Sequence, residues 1–377
     1  MSRAQGSSVE LAYLVEVTPG VTPAGTPQAI RKNTDSFGGT NGNIESGEIR
    51  SDGESASDIQ GNKNVGGDLV TELSAASHDE FLKSVMFDDW TETTTGASTL
   101  DAVASGNTFT RGSGSFVTDG FIVGQWVLSS GFTTAANNGW FKVTAVVALT
   151  LTVVGSALVD ESGGGDEVIA AKYMKGGSTG NYLSIFKRWT DIDQEIIFAG
   201  CLVNSMALSI APEKAMDLTF TVNGRTEGVP TAVGTAAADV STADPMTSFS
   251  GVILLDDVIN TNMTSFDFTL TNNLSDGFVI GNREKVDQFK GRRQSTGNVG
   301  FFFEDLAEYT DSNNHTAKNL AFSSNEGSAY YGFTFPRSYY DLPTPPTDSE
   351  GALTMSGPFR AEYDATTGAS IIISSSL

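Results

Sequence analysis

The stretch Gly61-Asn-Lys-Asn-Val-Gly-Gly-Asp-Leu-Val-Thr-Glu-Leu73 ends as a half-buried β-strand should. Leu69, Thr71 and Leu73 alternate with Asp68, Val70 and Glu72. Its glycines recur at a fixed separation (291 − 61 = 230), Gly61 against Gly291 and Gly67 against Gly297. The same offset pairs Asn43 with Asn273, Ile44 with Leu274, Gly47 with Gly277, Ile49 with Val279 and Leu69 with Val299. Upstream the match continues with a slip of one residue, Asn33, Ser36 and Phe37 against Asn262, Ser265 and Phe266. One β-rich unit built twice is the expected architecture, and an internal duplication points to a ring, an array or a pseudo-symmetric surface.

Composition agrees. Gly 41 against Pro 11, with abundant Ser, Thr, Val and Phe, favours strands and turns, so the expected class is mostly β. At 377 residues and 39% hydrophobic content the chain has enough apolar surface for proper cores. The net charge of −23, from 45 acidic and 22 basic residues, argues against a surface that grips phosphates. Cys201 is the single cysteine, so no intrachain disulfide framework forms. The start, MSRAQGSSV (residues 1–9), is polar, and the apolar run 11–15 is flanked by Glu10 and Glu16, which speaks against a secretory signal. The most apolar window, 143–159, carries threonines, β-branched residues and a glycine, and reads as a buried hairpin rather than a membrane span.

Along the chain, a strand over 9–17 and a turn-rich segment 18–27 precede the first repeat unit. After it, Phe81, Leu82, Val85 and Met86 fall on one face of an amphipathic helix with acids in its first turn. The stretch between Thr93 and Lys175 has no counterpart in the second repeat and is expected to be a small inserted all-β domain facing outward. The segments 201–210 and 215–222 are expected to pair around the turn Ala211-Pro-Glu-Lys214. In the second repeat 331–336 and 351–356 echo them, and the chain ends on the apolar 369–374. The predicted units are therefore 1–92 with 176–235, the insert 93–175, and 236–377, with the Ala-, Thr- and Gly-rich 228–245 as the connection.

Material for catalysis is scarce. His78 reads as a helix-start surface residue and His315 as part of a polar loop, at matching places in the two repeats. No His-x-x-x-His or Cys-x-x-Cys spacing offers a metal site, and no cofactor is expected. Ser184-Ile-Phe-Lys187 matches a bare Ser-x-x-Lys pattern, but no Lys-Thr-Gly follows and strand alternation accounts for it. Gly163-Gly-Gly-Asp-Glu-Val168 is a single acidic turn rather than a stacked calcium repeat, and Gly-Ser-Gly around Ser113 lacks the rest of a phosphate loop. Asp88-Asp89 and Asp256-Asp257 are adjacent and would diverge if they lay in strands, against a glycosidase-like pair. A charge contrast is more informative. Arg283, Lys285, Lys290, Arg292 and Arg293 make one repeat's loop basic, while Asp52, Glu54 and Asp58 make its offset partner acidic. Loops of opposite sign would fix register between subunits or rings.

Three further runs carry a family likeness: Asp52 through 61–73 into the Phe81-Leu82 helix, Phe198 to Ile210, and Leu218 to Gly224. They resemble the tail tube (major tail) proteins of long, non-contractile-tailed bacteriophages. The stretches 107–116, 120–124 and 137–141 look like the accessory β-domain of some members. The resemblance implies duplicated tail-tube β-sandwich units, each with a flanking helix, whose strands join those of neighbours into a barrel around a channel. It further implies a virion tail protein without enzymatic activity, assembled in the host cytoplasm into stacked rings with other tail proteins, no membrane being involved. Members with one unit form hexameric rings, so a two-unit chain is expected to close a pseudo-hexamer as a homotrimer, a hexamer being the alternative. Viral DNA would pass through an acidic channel without specific binding. The competing reading is a surface adhesin or carbohydrate-binding module that uses Trp126, Trp140 and Phe141 as a platform, although these aromatics fit better as the insert's own core.

Overall fold

A computed structural model describes residues 3–54, 57–345, 347 and 350–376. Met1 and Ser2 of the polar start, and Ser55 and Ala56 of the acidic segment, lie outside the described residues. The chain opens with β1 (Val9–Val15), β2 (Gln28–Ala29), β3 (Thr34–Asp35), β4 (Gly38–Ile44), β5 (Ile59–Glu72) and helix α1 (Asp79–Met86). Next come β6 (Thr91–Thr94), β7 (Leu100–Val103), β8 (Thr108–Arg111), β9 (Trp126–Ser130), β10 (Gly139–Val147), β11 (Thr150–Val154) and β12 (Val168–Met174). The first half resumes with β13 (Leu183–Trp189), β14 (Gln194–Ile210), β15 (Asp217–Gly224) and β16 (Thr226–Glu227). The second half holds β17 (Gly251–Leu255), β18 (Val258–Ile259), β19 (Met263–Thr271), β20 (Ser275–Gly277), β21 (Asp287–Phe289) and β22 (Gln294–Phe302). It ends with α2 (Ala307–Asn313), β23 (Lys318–Glu326), β24 (Ala329–Tyr340), β25 (Thr354–Ala361) and β26 (Ile372–Ser375). The fold is mostly β, as its composition requires.

In the first half neighbouring strands run β2-β1-β13-β14-β15-β5-β4, all antiparallel. In the second half they run β18-β17-β23-β24-β25-β22-β19, with the same senses. Details recur too. Glu72 lies opposite Asp217, and Phe302, 230 residues after Glu72, lies opposite Thr354. The β13–β14 ladder shifts between Leu183 and Ile185, and the β23–β24 ladder shifts between Lys318 and Leu320. A helix follows β5 and another follows β22, while short 3-10 turns at Gly6–Ser8 and Ser248–Ser250 precede β1 and β17. One sequence correspondence is corrected. Asp35, not Phe37, lies opposite Leu69, whereas Phe266 lies opposite Val299. The two-residue displacement keeps every side chain on its face of the pleat, so nothing in the alternation reveals it.

α1 buries Phe81, Leu82, Val85 and Met86 among Leu69, Val203 and Phe220. Its first turn carries Asp79 and Glu80, as the helix dipole favours. α2, by contrast, buries no residue, although Tyr309 packs partly against the core. The core runs without a break through both halves, from Leu11 to Ile373. The segment after β16 is an extended strap tacked to the first half by bridges from Thr231 to Glu195, Ala238 to Gln28 and Pro245 to Ser74.

β7 to β12 enclose a separate core that includes Leu100, Phe109, Phe116, Phe141, Leu151 and Ile169. The expected hairpin over 143–159 is present as β10 and β11. This region does not stand clear of the rest, because β12 pairs with β26 from Lys172–Ser375 to Met174–Ile373. Trp126 and Trp140, expected inside the insert's own core, lie at that contact, and only Phe141 lies within the core. Trp140 stacks on Tyr330 at 4.0 Å, Trp126 packs with Leu254, Ala321 and Tyr330, and the buried Lys142 ammonium reaches Asp257 at 2.5 Å. A Tyr330→Ala chain is expected to lose about 3 kcal/mol, the usual cost of truncating a buried aromatic. Acrylamide should then quench tryptophan fluorescence more strongly, and unchanged quenching would show that this stack does not hold the contact.

Candidate assembly surfaces

β14 changes partners along its length. Its first part pairs with β13, and residues 205–209 pair with β15 on one side and, with Ile210, with β19 on the other. A single sheet β4-β5-β15-β14-β19-β22-β25 therefore crosses from one half of the chain to the other. One face of it is apolar and buried, with Leu69, Phe220, Met206, Leu208, Phe268, Leu270 and Val299. The other face is polar and ordered in rows. Asp68, Thr221, Ser205, Thr271 and Gln294 lie side by side, and Glu72, Asp217, Ser209, Asp267 and Asn298 form a second row. Asp68 accepts from the Thr221 hydroxyl at 2.7 Å, and Asp267 accepts from the Asn298 backbone at 3.1 Å. Arg360 stands at the far edge, opposite Thr296.

Two hairpins project from this sheet: β4–β5, with the loop 45–58, and β20–β21, with the loop 278–286. Each tip exposes apolar residues, Ile49 at 97% and Ile280 at 105%. The basic residues singled out by sequence are mostly engaged within the chain. The Arg283 guanidinium donates to the Gly61 carbonyl at 3.0 Å, and its own carbonyl accepts from the Lys63 amide at 2.8 Å. Lys285 is buried and pairs with Asp276 at 3.0 Å. Lys290 donates to the Gly177 carbonyl at 2.6 Å and lies over the Phe87 ring. Burial, with Arg293 nearby, pushes the Lys290 ammonium down to about 8. Arg293 donates to the carbonyl of Met86, the last residue of α1, and burial pushes its guanidinium down to about 10. Arg292 is exposed, and its side chain has no partner among the described residues. Asp52, Glu54 and Asp58 are exposed on the other hairpin, where Arg50 pairs with Asp52 and holds its carboxyl below the usual range.

Sequence reasoning missed Arg337 and Arg360. With Arg292, Arg293, Thr296 and Glu362 they line a cleft of about 550 Å³ at the end of β22 and β25. Only the alternation of β25 could have placed Arg360 on the polar face, and no spacing links it to Arg337.

The other candidates resolve into structural roles. His78 is not on the surface: it is fully buried and bonded through Nε2 to the Glu72 carbonyl at 3.2 Å. His315 follows α2 whereas His78 precedes α1, so the two are not equivalent, and His315 stacks on Tyr339 at 4.1 Å. Ser184 donates to Glu16 at 2.6 Å while Lys187 donates to Asp35 at 2.6 Å, so the two do not meet. Glu167 folds its carboxylate back onto the amides of Gly164 and Gly165. Asp256 and Asp257 form the two-residue turn between β17 and β18, both with positive φ, as that hairpin geometry demands. They grip different lysines, Lys318 and Lys142. With Trp126 buried and Trp140 covered by Tyr330, the insert presents no platform of these aromatics to a sugar. Among the described residues no group of His, Cys, Asp or Glu is placed to hold a metal, and no helix is long and apolar enough to cross a membrane.

A mostly β chain with one polar, carboxylate-bearing sheet face and two projecting hairpins is the class defined by fold and surfaces. Residues 6–366 match the family described as phage tail tube protein, and the chain belongs to that family. It is accordingly a structural component of the viral tail, and membership implies assembly with itself and with other tail proteins. A search of curated proteins finds no match.

Proposed function

We propose that the chain is a two-unit subunit of stacked rings forming the tail tube. The units are 1–92 with 176–235, and 236–377, and 93–175 is inserted between segments of the first. The β14–β19 ladder carries the reading, because it already joins one half to the next edge to edge. Repeating that join around a closed ring leaves no free strand edges, and three chains would supply six units. The polar face, with Asp68, Glu72, Asp217 and Asp267, would then line the channel and repel the DNA backbone, so that the genome slides without specific binding. The exposed tips at Ile49 and Ile280 suit contacts between rings. The acidic loop and the exposed Arg292 are the charges left free to set register between chains. Such a protein would assemble in the host cytoplasm and reside in the virion tail, without catalysis.

Negative-stain electron microscopy of the purified protein, with mass determination of the particles, tests this. Rings or tubes of three chains are expected. Rings of six would overturn the pseudo-hexamer, and a chain that stays monomeric at high concentration even with a tail initiator present would overturn the assembly.

A further inference from the structure

The hairpin of the second half does more than project. Its segment 283–287 lies in a groove of the first half. Arg283 bonds to Gly61 and Lys63 there, and the Arg225 guanidinium donates to Asp287. The repeated registers give that groove a counterpart. The offset that carries Glu72 to Phe302 carries Gly61 to Gly291 and Lys63 to Arg293, and the offset that carries Asp217 to Thr354 carries Arg225 to Glu362. Arg292, Arg293 and Glu362 line the open cleft of about 550 Å³ already described. A groove filled in one half is thus open in the other.

The segment equivalent to the one that fills it lies in the acidic loop, around Asp52 and Glu54, with Asp58 just beyond. Within its own chain Asp52, Glu54 and Asp58 are exposed, and β15, β14 and β19 separate their strand β5 from the cleft strand β22. The cleft offers matching charge. Arg292 has no side-chain partner among the described residues, Arg337 donates to the Tyr339 hydroxyl at 2.9 Å, and Arg360 pairs with the half-exposed Glu362 at 3.2 Å and lies over the Tyr339 ring. In a chain of net charge −23, two copies repel each other unless a local patch of opposite sign orients them.

We propose that the acidic loop of one chain, through Asp52, Glu54 and Asp58, enters the Arg292–Arg337–Arg360 cleft of a second copy, reproducing between chains the hairpin-in-groove contact made within one. This contact rests on the ring reading above and names the surface that sets the junction between chains.

The test is charge reversal with rescue, on the full chain. Arg292→Glu with Arg360→Glu is expected to raise the concentration needed for ring formation about tenfold or more, as is Asp52→Lys with Glu54→Lys and Asp58→Lys. Circular dichroism and thermal midpoint should be unchanged in both. All five changes in one chain should restore assembly to near the wild-type threshold. Reversals that assemble like wild type, or a combined chain no better than its parents, would overturn the contact and leave the ring standing. Wild-type protein that forms no ring under any condition would overturn the ring reading and the contact with it. A second readout avoids charge altogether: chains with Glu54→Cys and Arg360→Cys, mixed under oxidising conditions, should give a disulfide-linked dimer that neither gives alone. The native Cys201 is fully buried and does not compete. Absence of that dimer in particles that do form rings would also reject the contact.

Discussion

Arg293→Glu is expected to destabilise the chain by about 4 kcal/mol or more, whereas Arg292→Glu should melt with the wild type. The two arginines are adjacent, but only Arg293 turns inward, where its guanidinium donates to the Met86 carbonyl and, at 3.3 Å, to Asn272. Each charge-assisted hydrogen bond lost costs roughly 1.5–3 kcal/mol. A carboxylate in its place would face the negative end of the α1 dipole and Asp88 besides. Urea denaturation followed by circular dichroism separates the variants, and equal midpoints would remove the capping role assigned to Arg293. Charge reversal at both positions would therefore mix a loss of monomer stability with any effect on assembly, and reversal of the exposed arginine alone is the informative change.

His78 should make the protein sensitive to mild acid. Burial pushes its imidazole down from 6.5 to about 4, outweighing the Nε2 bond to the Glu72 carbonyl, which favours the charged ring, and the buried Nδ1 has no hydrogen-bond partner among the described residues. The sign follows from the unfolded chain, whose His78 titrates near 6.5. Between that value and about 4 the unfolded state binds the proton and the folded state does not, so stability falls as pH falls through this window. The loss from this one group reaches about 2.5 kcal/mol by about pH 4.5. A His78→Gln chain should show a shallower decline over the same window. Parallel denaturation curves for the two chains at neutral and acid pH would show that the ring charges in the folded state after all.

Alternation exposed the strands that have one wet face. Residues 68–73 and 215–222 read correctly because their buried and exposed positions alternate, and the β10–β11 hairpin because its threonines and β-branched residues favour strands. Glycine spacing carried the 230-residue offset, because close backbone approach forbids side chains at Gly67 and Gly297. A Cβ at either would sit within 3 Å of neighbouring backbone. What remained hidden were pairings between distant strands. Nothing local in β12 announces β26, about 200 residues away, so the tryptophans were expected to fill the insert's own core rather than a contact with the second half. Likewise His78 reads as polar in sequence and is buried only because Phe220 and α1 close over it. Arg337 and Arg360 reach one cleft only through the β24–β25 pairing, which no spacing encodes.

The six-residue ladder between β14 and β19 forms when a single chain folds, so dilution does not weaken it. Its two strands are tethered by the connecting segment, and such tethering sets an effective concentration of the order of millimolar. Contacts across chain ends have no such tether and follow the free protein concentration. In the proposed ring of three chains, half of the joints between successive units would therefore be made before any subunit meets another, and two associations would bring together what six separate units would need five to assemble.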